Sequence, residues 1–193
     1  MLNIVLFGAP GCGKGTQAAM LKEHYGISHV STGEVIRGEI ARQTELGLSM
    51  KECIAKGQLV PDQLVIDIVA GYVKEHCDGP GNIFDGFPRT TAQAEAFDKM
   101  LLEKGMHIDL MVYMDVPEQE LVKRIMLRGL SSGRSDDASE EVIHNRIVTY
   151  KAQTAVVADF YAAQDKYVAV DGLGTPEEVF QRIVKAIDAF STK

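Results

Sequence analysis

Short apolar runs alternate along this chain with longer amphipathic segments. Leu2–Phe7 and Leu110–Met114 are mostly apolar and short, as is typical of strands that are buried on both faces of a sheet. Asp62–His76 instead repeats apolar residues three and four positions apart, which is the spacing of one helix face. The pattern therefore predicts strands that alternate with helices.

The same pattern predicts five strands and eight helices along the chain. The strands are predicted at 2–7, 29–30, 82–84, 110–114 and 167–170. The helices are predicted at 13–25, 32–42, 49–56, 62–76, 91–104, 117–128 and 140–164, and a last one follows the capping box Thr175-Pro176-Glu177-Glu178. The helix at 140–164 is long enough that a bend is compatible with the pattern. This alternation predicts an α/β fold with a parallel sheet, whose ligands bind at the carboxyl ends of the strands.

Length and composition fit one folded domain that spans 1–193. Hydrophobic residues make up 46% of the chain and charged residues 24%, which is ordinary for globular proteins. The net charge of −7 disfavours a nucleic-acid binder, and no apolar run reaches the roughly 18–20 residues of a membrane helix. Because the N-terminus resembles a buried strand rather than a signal peptide, we expect a cytoplasmic protein.

The three cysteines, Cys12, Cys53 and Cys77, form no Cys-x-x-Cys pair. An odd number at wide spacing predicts reduced structural thiols, without a disulfide framework or a zinc site. Cys12 differs because it lies in a candidate phosphate loop, at the start of a helix. Its reactivity toward oxidants is left open as a hypothesis.

Gly8–Thr16 follows the first strand and reads G-x-x-x-x-G-K, with the next helix directly after it. Glycines let backbone N–H groups curl around a phosphate, and the helix N-terminus adds a positive dipole end. Lys14 supplies a cation for β- and γ-phosphates, and the Thr16 hydroxyl can turn toward a metal ion or a phosphate. The motif predicts a nucleotide-phosphate site, but it does not identify the reaction.

Gly15 stands where the plain motif has Ser or Thr, and Gln17 follows Thr16. The resulting form, G-x-P-G-x-G-K-G-T-Q, resembles the nucleoside monophosphate kinases. That resemblance implies a P-loop NTPase-type three-layer fold with a five-stranded parallel sheet, a helical NMP-binding insertion and a short lid. The remaining motifs resemble the same family.

Asn82–Glu95 contains D-G-F-P-R-T-T-A-Q-A-E and closely resembles the adenylate kinase pattern. Asp85 ends a buried strand, where a carboxylate needs a cation or a polar network. Arg89 can hold a phosphate with two hydrogen bonds, and the amide of Gln93 can read a base edge. A capping box formed by Thr90 and Gln93 is an alternative that does not exclude these roles.

Ser31–Arg37 resembles the S-T-G-D/E-x-x-R segment of adenylate kinases, in which the threonine contacts the AMP base and the arginine holds its α-phosphate. The alternative is that Thr32 only caps a helix and Arg37 is solvated. The turn Gln58-Leu59-Val60 resembles the family's G-x-L-V-P-D turn, whose carbonyls meet the base and ribose of AMP. Here the alternative is a plain turn that is followed by an N-cap at Asp62.

Six of the eight arginines fall on family motif positions, and only Arg42 and Arg182 do not. Arg124 and Arg128 lie four residues apart and share one helix face, although a helix C-terminus by itself also favours cations. A polar stretch with Arg134, Asp136 and Asp137 follows. It resembles a short lid without the cysteines of zinc-binding lids, so no structural zinc is expected. The two aspartates are expected to pair with the arginines or to hinge the closed lid. A cap on the next helix, formed by Asp137 and Glu140, is the alternative.

The resemblance implies an adenylate kinase that reversibly transfers the γ-phosphoryl group of MgATP to AMP, in purine nucleotide homeostasis and salvage. It implies a core at 1–30, 61–128 and 139–193, an NMP-binding segment at 31–60 and a lid at 129–138. The implied catalytic residues are Lys14, Asp85, Arg89, Arg124, Arg128, Arg134 and Arg146. The implied ATP-binding residues are Gly11, Cys12, Gly13, Lys14, Gly15, Thr16, Arg128 and Gly174. The implied AMP-binding residues are Thr32, Arg37, Gln58, Leu59, Val60, Gly86, Phe87, Pro88, Arg89, Gln93, Arg134 and Arg146.

The expected partners are the small molecules ATP, AMP and ADP, with Mg²⁺ bound together with ATP. Neither a nucleic acid nor a membrane is expected as a partner, and a monomer is the family expectation. A kinase for UMP or CMP is the nearest rival, but such enzymes usually carry alanine at the position of Thr32 and asparagine near that of Gln93. A nucleotide-dependent switch would leave the second site unexplained, and a structural domain would leave the phosphate loop unexplained.

Overall fold

A computed structural model describes residues 1–76, 79–132, 134–137 and 139–191. Cys77, and with it the expectation of a reduced structural thiol there, lies outside the described residues. The same holds for Gly133 and Ala138 of the expected lid. Among the described helices, none combines the length and the apolar character that a bilayer span requires.

Five parallel strands form a single sheet in the order β2-β3-β1-β4-β5, which confirms the predicted α/β architecture. The strands are β1 (Leu2–Phe7), β2 (Ser28–Ser31), β3 (Gly81–Asp85), β4 (Leu110–Asp115) and β5 (Tyr167–Asp171). In the central register, Val5 lies opposite Phe84 of β3 and Met111 of β4. The carboxyl ends of the strands thus lie along one edge of the sheet, where their loops meet.

Nine α-helices lie in the described part of the chain. They are α1 (Lys14–Tyr25), α2 (Thr32–Ala41), α3 (Glu45–Ala55), α4 (Asp62–His76), α5 (Thr91–Glu103), α6 (Glu118–Ser132), α7 (Glu140–Thr149), α8 (Val157–Ala162) and α9 (Pro176–Ser191). A 3₁₀ turn occupies Ser135–Asp137 and a π-helical turn occupies Tyr150–Thr154. Most bounds lie within one or two residues of the predicted ones, and α6 runs four residues further.

Two predicted helices differ from the structure by more than their ends. α3 begins at Glu45 rather than at residue 49, because the Thr44 hydroxyl accepts a hydrogen bond from Gly47 N at 3.0 Å and so caps an earlier start. The single helix predicted at 140–164 is interrupted by the π-helical turn, in which Ala155 N donates to Tyr150 O at 2.9 Å. Apolar spacing continues through this turn, so it carries no signal in the sequence.

Alternate residues of the strands supply two separate hydrophobic cores, one on each face of the sheet. Val5 and Phe7 belong to a core with residues of α2, α3, α4, α5 and α8. Ile4 and Leu6 belong to the other core, with residues of α1, α6 and α9. These four side chains are at most 4% exposed, as expected for strands that are covered on both faces. Helices on both sides therefore hold the sheet in the middle of three layers.

Candidate active site

A cavity of about 840 Å³ opens at the carboxyl ends of the strands. It is lined by every residue that the sequence assigned to a catalytic, ATP-binding or AMP-binding role. These residues come from the loops after β1, β3 and β5, from the end of β3, from helices α1, α2, α5, α6 and α7, and from the connections that follow α3 and α6. The fold therefore brings together motifs that are more than a hundred positions apart in the chain.

The phosphate loop leaves β1 with positive φ angles at Gly8 (145°), Gly11 (86°) and Gly13 (104°). A Cβ atom on Gly11 would lie 2.7 Å from Ile125 Cγ1 and 2.9 Å from Leu121 O, so the loop packs directly on α6. Only glycine combines this backbone with such close packing. The loop ends at the N-terminus of α1, whose unpaired N–H groups and dipole favour an anion.

Lys14 is the first residue of α1, and its ammonium turns back over the loop. Nζ donates to Gly8 O at 2.8 Å and to Ala9 O at 3.1 Å. It also lies 3.6 Å from Cys12 Sγ, and this thiol is only 1% exposed. The ammonium is thus held at the mouth of the loop, where a phosphate would compete with these carbonyl groups for it.

Asp85 is the last residue of β3, and its Oδ2 lies 3.8 Å from Nε2 of the half-buried His29. Burial opposes ionisation of Asp85, but the nearby His29, Lys14 and Arg89 outweigh burial and lower the pKa of this carboxyl group. Asp85 is therefore an anion at neutral pH. It meets the requirement that a carboxylate at the end of a buried strand should face cations.

Thr32 and Arg37 lie on α2, which begins directly after β2, and both line the cavity. Ser31, not Thr32, is the N-cap residue of α2, so the alternative that Thr32 only caps this helix is wrong. Thr32 is instead 3% exposed and donates its hydroxyl to Asp85 O at 2.9 Å. Burial lowers the pKa of Arg37 and repulsion from Arg134 lowers it further, so Arg37 favours an anionic ligand.

The turn Gln58-Leu59-Val60 follows Gly57, which has a φ of 70°. A Cβ atom on Gly57 would lie 2.8 Å from Val142 O and 2.8 Å from Arg146 Cγ. The turn therefore packs against α7, and the segment at 31–60 touches the helix that follows the expected lid. Gln58 N donates to Cys53 O at 2.9 Å, which closes the turn at the end of α3.

Gly86-Phe87-Pro88-Arg89 connects β3 to α5, with a φ of 82° at Gly86 and a cis peptide bond between Phe87 and Pro88. Arg89 Nε donates to Gly86 O at 2.7 Å. The guanidinium is open to the cavity but enclosed by protein atoms, and burial together with the positive charge of Arg146 lowers its pKa. An anion between Arg89, Arg37 and Arg146 would relieve this repulsion.

Gln93 lies in the first turn of α5 and is 1% exposed. Thr90 is the N-cap residue of this helix, and its hydroxyl accepts a hydrogen bond from Gln93 N at 3.2 Å, as the capping alternative predicts. The Gln93 side chain does not close that capping box. Its Oε1 accepts from Arg89 N at 2.8 Å, and its Nε2 donates to Asp62 Oδ1 at 2.8 Å.

The arginines of α6 and α7 are held by carboxylates and by carbonyl groups of the cavity wall. Arg124 pairs with Glu120 at 2.8 Å and reaches Gly172 O at 3.3 Å.

Arg128 binds both carboxylate oxygens of Asp137, at 2.7 and 2.8 Å. Arg146 contacts the same carboxylate at 2.5 Å and Asp136 Oδ2 at 3.1 Å. The expected pairing of the two aspartates with arginines is confirmed.

Burial and these ion pairs shift the pKa values of the paired groups in opposite directions. Burial raises the pKa of Asp137, but Arg128 and Arg146 outweigh burial, so the net shift is downward. Burial lowers the pKa of Arg146 although Asp136 and Asp137 oppose this change. The capping alternative for Asp137 and Glu140 is wrong, because Ser139 caps α7 by accepting from Val142 N at 3.3 Å.

The cavity wall also contains residues that the sequence analysis did not single out. Glu120 is one of them, and its spacing of four residues from Arg124 is a sequence signal that could have revealed the pair. Tyr150 and Thr154 line the cavity from the π-helical turn. Their position depends on that turn, which the sequence pattern does not predict.

Comparison with known proteins agrees with this geometry. The family model "Adenylate kinase" matches residues 6–166. The chain belongs to the adenylate kinase family. Relatives named adenylate kinase include one from Phocaeicola vulgatus, which is 52% identical over 97% of this chain and 99% of its own length. Others are from Parabacteroides distasonis (50% identical, 97% and 98% covered) and Flavobacterium johnsoniae (44% identical, 97% and 99% covered).

Family membership agrees with the motifs on which the sequence resemblance rests. The adenylate kinase model ends at residue 166, whereas the three relatives align over nearly the whole chain, so β5 and α9 are covered by them. The described residues hold no group of three or more His, Cys, Asp or Glu side chains arranged for a metal ion.

Proposed function

We propose that this chain is a phosphotransferase that reversibly transfers the γ-phosphoryl group of MgATP to AMP, giving two ADP, and so serves purine nucleotide homeostasis and salvage. One observation carries the proposal. A phosphate loop and a second, arginine-rich site face the same cavity in a member of the adenylate kinase family. A nucleotide switch needs only the first of these two sites.

The donor end of the cavity is assigned to ATP. The backbone N–H groups of Gly11–Thr16 would hold its phosphates, with Lys14 and Arg128 as the nearby cations. Gly174, after β5, has a φ of 116° and lines the cavity, which would let the chain approach the base closely. The thiol of Cys12 is buried within this loop, and its backbone N–H is among those that would hold the phosphates.

The Thr16 hydroxyl and the Asp85 carboxylate would hold Mg²⁺ together with ATP. Both line the cavity, both offer the oxygen atoms that Mg²⁺ prefers, and Asp85 is kept ionised by its neighbours. Bound Mg²⁺ would neutralise negative charge on the β- and γ-phosphate oxygens.

The acceptor end is assigned to AMP. Arg37 and Arg89 would hold its α-phosphate, while Thr32 and Gln93 would contact its base. The carbonyl groups of Gln58–Val60 and the Gly86–Pro88 connection would complete the site. All of these residues line the cavity on the side of β2 and β3.

Charge stabilisation is the main chemical task of the protein in this reaction. The transition state spreads negative charge over the equatorial oxygens, which Lys14, Arg89, Arg124, Arg128, Arg134 and Arg146 can compensate. A general base is not required, since the phosphate of AMP is already an anion. We propose that the segment at 31–60 and the lid at 129–138 close over the substrates and exclude water.

We also propose that the chain acts as a monomer on free nucleotides. The proposed site residues of the cavity all come from one chain, so no second copy is needed to complete it. Light scattering after size exclusion at working concentration would test this. The cytoplasmic location and the absence of nucleic-acid partners stay predictions of the sequence.

ADP formation from MgATP tests the function, with AMP, CMP, UMP, GMP and water offered separately as acceptors. A strong preference for AMP and near-inertness toward water are expected. If CMP or UMP is preferred, the mechanism survives but the base-reading roles of Thr32 and Gln93 are wrong. If only slow hydrolysis occurs, the proposed function is wrong and the chain is better described as a nucleotide switch.

A further inference from the structure

The side-chain amide of Gln93 is held between one obligate acceptor and one obligate donor. Nε2 donates to Asp62 Oδ1 at 2.8 Å, and a carboxylate at neutral pH can only accept. Oε1 accepts from the backbone N–H of Arg89 at 2.8 Å, which can only donate. If the amide rotated by 180°, two donors would meet at Arg89 and two acceptors at Asp62.

Asp62 is itself fixed by a second contact. Its Oδ2 accepts from the Thr90 hydroxyl at 3.0 Å, and that hydroxyl accepts from Gln93 N at 3.2 Å. The Asp62 carboxylate, the Thr90 hydroxyl, and the backbone N–H and side-chain amide of Gln93 thus form a closed ring of hydrogen bonds. This ring joins the first residue of α4 to the first turn of α5. The carboxylate cannot turn away from Gln93 without breaking its bond to Thr90.

The ring leaves Gln93 one N–H group and one lone pair of Oε1 for a ligand, in a fixed order along the edge of the amide. The edge of adenine has an acceptor at N1 and a donor at its 6-amino group, which match this pair. The edge of a 6-oxo purine has the opposite order, with N1–H as donor and O6 as acceptor. A free amide could rotate to fit either base, whereas this one is held in a single orientation.

We propose that Asp62 is a specificity-determining positioning residue, which fixes the Gln93 amide in the orientation that accepts a 6-amino base and rejects a 6-oxo base. The inference rests on the proposed function, because it assigns Gln93 to the base of the phosphoryl acceptor. Asp62 acts only through Gln93. A 6-oxo base is rejected because its N1–H donor would face the N–H of Gln93 and its O6 acceptor would face Oε1, so buried polar groups would be left without hydrogen bonds.

The test compares kcat/KM for AMP, inosine monophosphate and CMP in the wild type and in Asp62→Asn. Inosine monophosphate has the size of AMP but a 6-oxo edge, and the edge of CMP has the donor and acceptor order of AMP. An asparagine can offer its own amide N–H to a rotated Gln93, so the Arg89 N–H is then the one described contact that still opposes rotation. The inosine-to-AMP ratio is therefore expected to rise by about tenfold or more, with the CMP-to-AMP ratio unchanged.

Asp67→Asn is the matched control, since Asp67 lies on the same helix and accepts a hydrogen bond only from the exposed Gln63 side chain among the described contacts. It should change neither ratio. Asp62→Ser provides a second variant if Asp62→Asn folds poorly, because a serine hydroxyl can also donate or accept. A purely structural role of Asp62 would lower activity with all three acceptors together and leave both ratios unchanged, and that result overturns the proposal.

A readout without catalysis separates this inference from the proposed function. In the wild type, the Gln93 side-chain N–H that faces Asp62 is expected to resonate downfield and to exchange slowly in ¹⁵N-edited NMR spectra, and Asp62→Asn should remove both features. If the wild type phosphorylates no nucleoside monophosphate, the proposed function fails while the NMR result still decides the orientation of the amide. Equal Gln93 amide signals in the two proteins would refute its fixation by Asp62.

Discussion

Close neighbours position the charged side chains at this site and shift the pKa values of some of them. Lys14 directs its ammonium to the carbonyl oxygens of Gly8 and Ala9, and Asp85 faces His29 at 3.8 Å. Arg37 and Arg89 have lowered pKa values because surrounding protein atoms reduce their solvation and other arginines lie nearby. Such clustering of like charges is unfavourable for the protein alone, so we expect it to favour binding of a phosphorylated ligand.

Lys14→Met and Arg89→Ala should each reduce kcat by roughly 10²-fold or more, since each removes a cation from the transferring or accepting phosphate. Steady-state rates of ADP formation would measure this effect. Lys22→Met, at an exposed position of the same helix, and Arg42→Ala, at an exposed arginine outside the cavity, are matched controls. A folded Lys14 or Arg89 variant with wild-type turnover would contradict the assigned role.

Thr32→Ala should change the choice of acceptor more than the chemical step. Thr32 is buried and donates to Asp85 O, so its loss alters the wall beside the base without removing a charge. The ratio of kcat/KM for AMP to that for CMP is the measurement, and Thr32→Ser, which keeps the hydroxyl, is the control. An unchanged ratio in Thr32→Ala would mean that Thr32 does not contact the base.

Helices α6 and α7 are joined through one carboxylate. Asp137 follows α6, its side chain is fully buried, and it bridges Arg128 of α6 to Arg146 of α7. The shared carboxylate restrains two long side chains that would otherwise sample more rotamers. The bridge therefore orients two of the proposed catalytic arginines toward the cavity.

Asp137→Asn should lower the free energy of unfolding at pH 7 by on the order of 2 kcal/mol, the scale of hydrogen bonds to charged groups. The pKa of Asp137 is lower in the folded chain than in the unfolded one. Its contribution is thus complete above an unfolded-state pKa of about 3.9 and is lost as the pH falls through the folded-state value.

Urea unfolding between pH 7 and pH 3 would measure this difference between wild type and Asp137→Asn. The two proteins should differ most near pH 7 and should converge in acid. The exposed Asp159→Asn variant is the control and should track the wild type throughout. A difference that stays constant across this range would show that ionisation of Asp137 does not stabilise the fold.

Both hydrophobic cores stabilise the fold, but only one of them lies behind the proposed AMP site. Phe97 belongs to the core that also contains Phe87, and the two ring centroids lie 5.0 Å apart. Ile183 belongs to the core on the other face of the sheet. Both side chains are fully buried. The proposed AMP site is therefore supported mainly by one of the two cores.

Phe97→Ala and Ile183→Ala should each cost about 3 kcal/mol of unfolding free energy, because each leaves a cavity in a packed core. Only Phe97→Ala should also raise the KM for AMP, since it removes the support of Phe87. Urea unfolding and AMP titrations of both variants would measure this. An equal rise of KM in both variants would contradict the separation of the two cores.

Much of this architecture follows from the sequence because it depends on local patterns. Apolar runs and amphipathic spacing predicted all five strands and most helix bounds, and the capping box at Thr175 and Glu178 forms with both of its hydrogen bonds. The phosphate loop was recognisable because its glycines and lysine are adjacent in the chain. Every residue that the sequence nominated for the site lines one cavity.

Tertiary structure alone decided which of several chemically possible partners each polar side chain takes. Thr32 could have capped a helix and Asp137 could have begun one, but packing placed them against Asp85 and against two arginines. The π-helical turn at Tyr150–Thr154 and the link between Asp62 and Gln93, 31 positions apart, have no local signature. Such choices depend on distances between elements, which the order of residues along the chain does not contain.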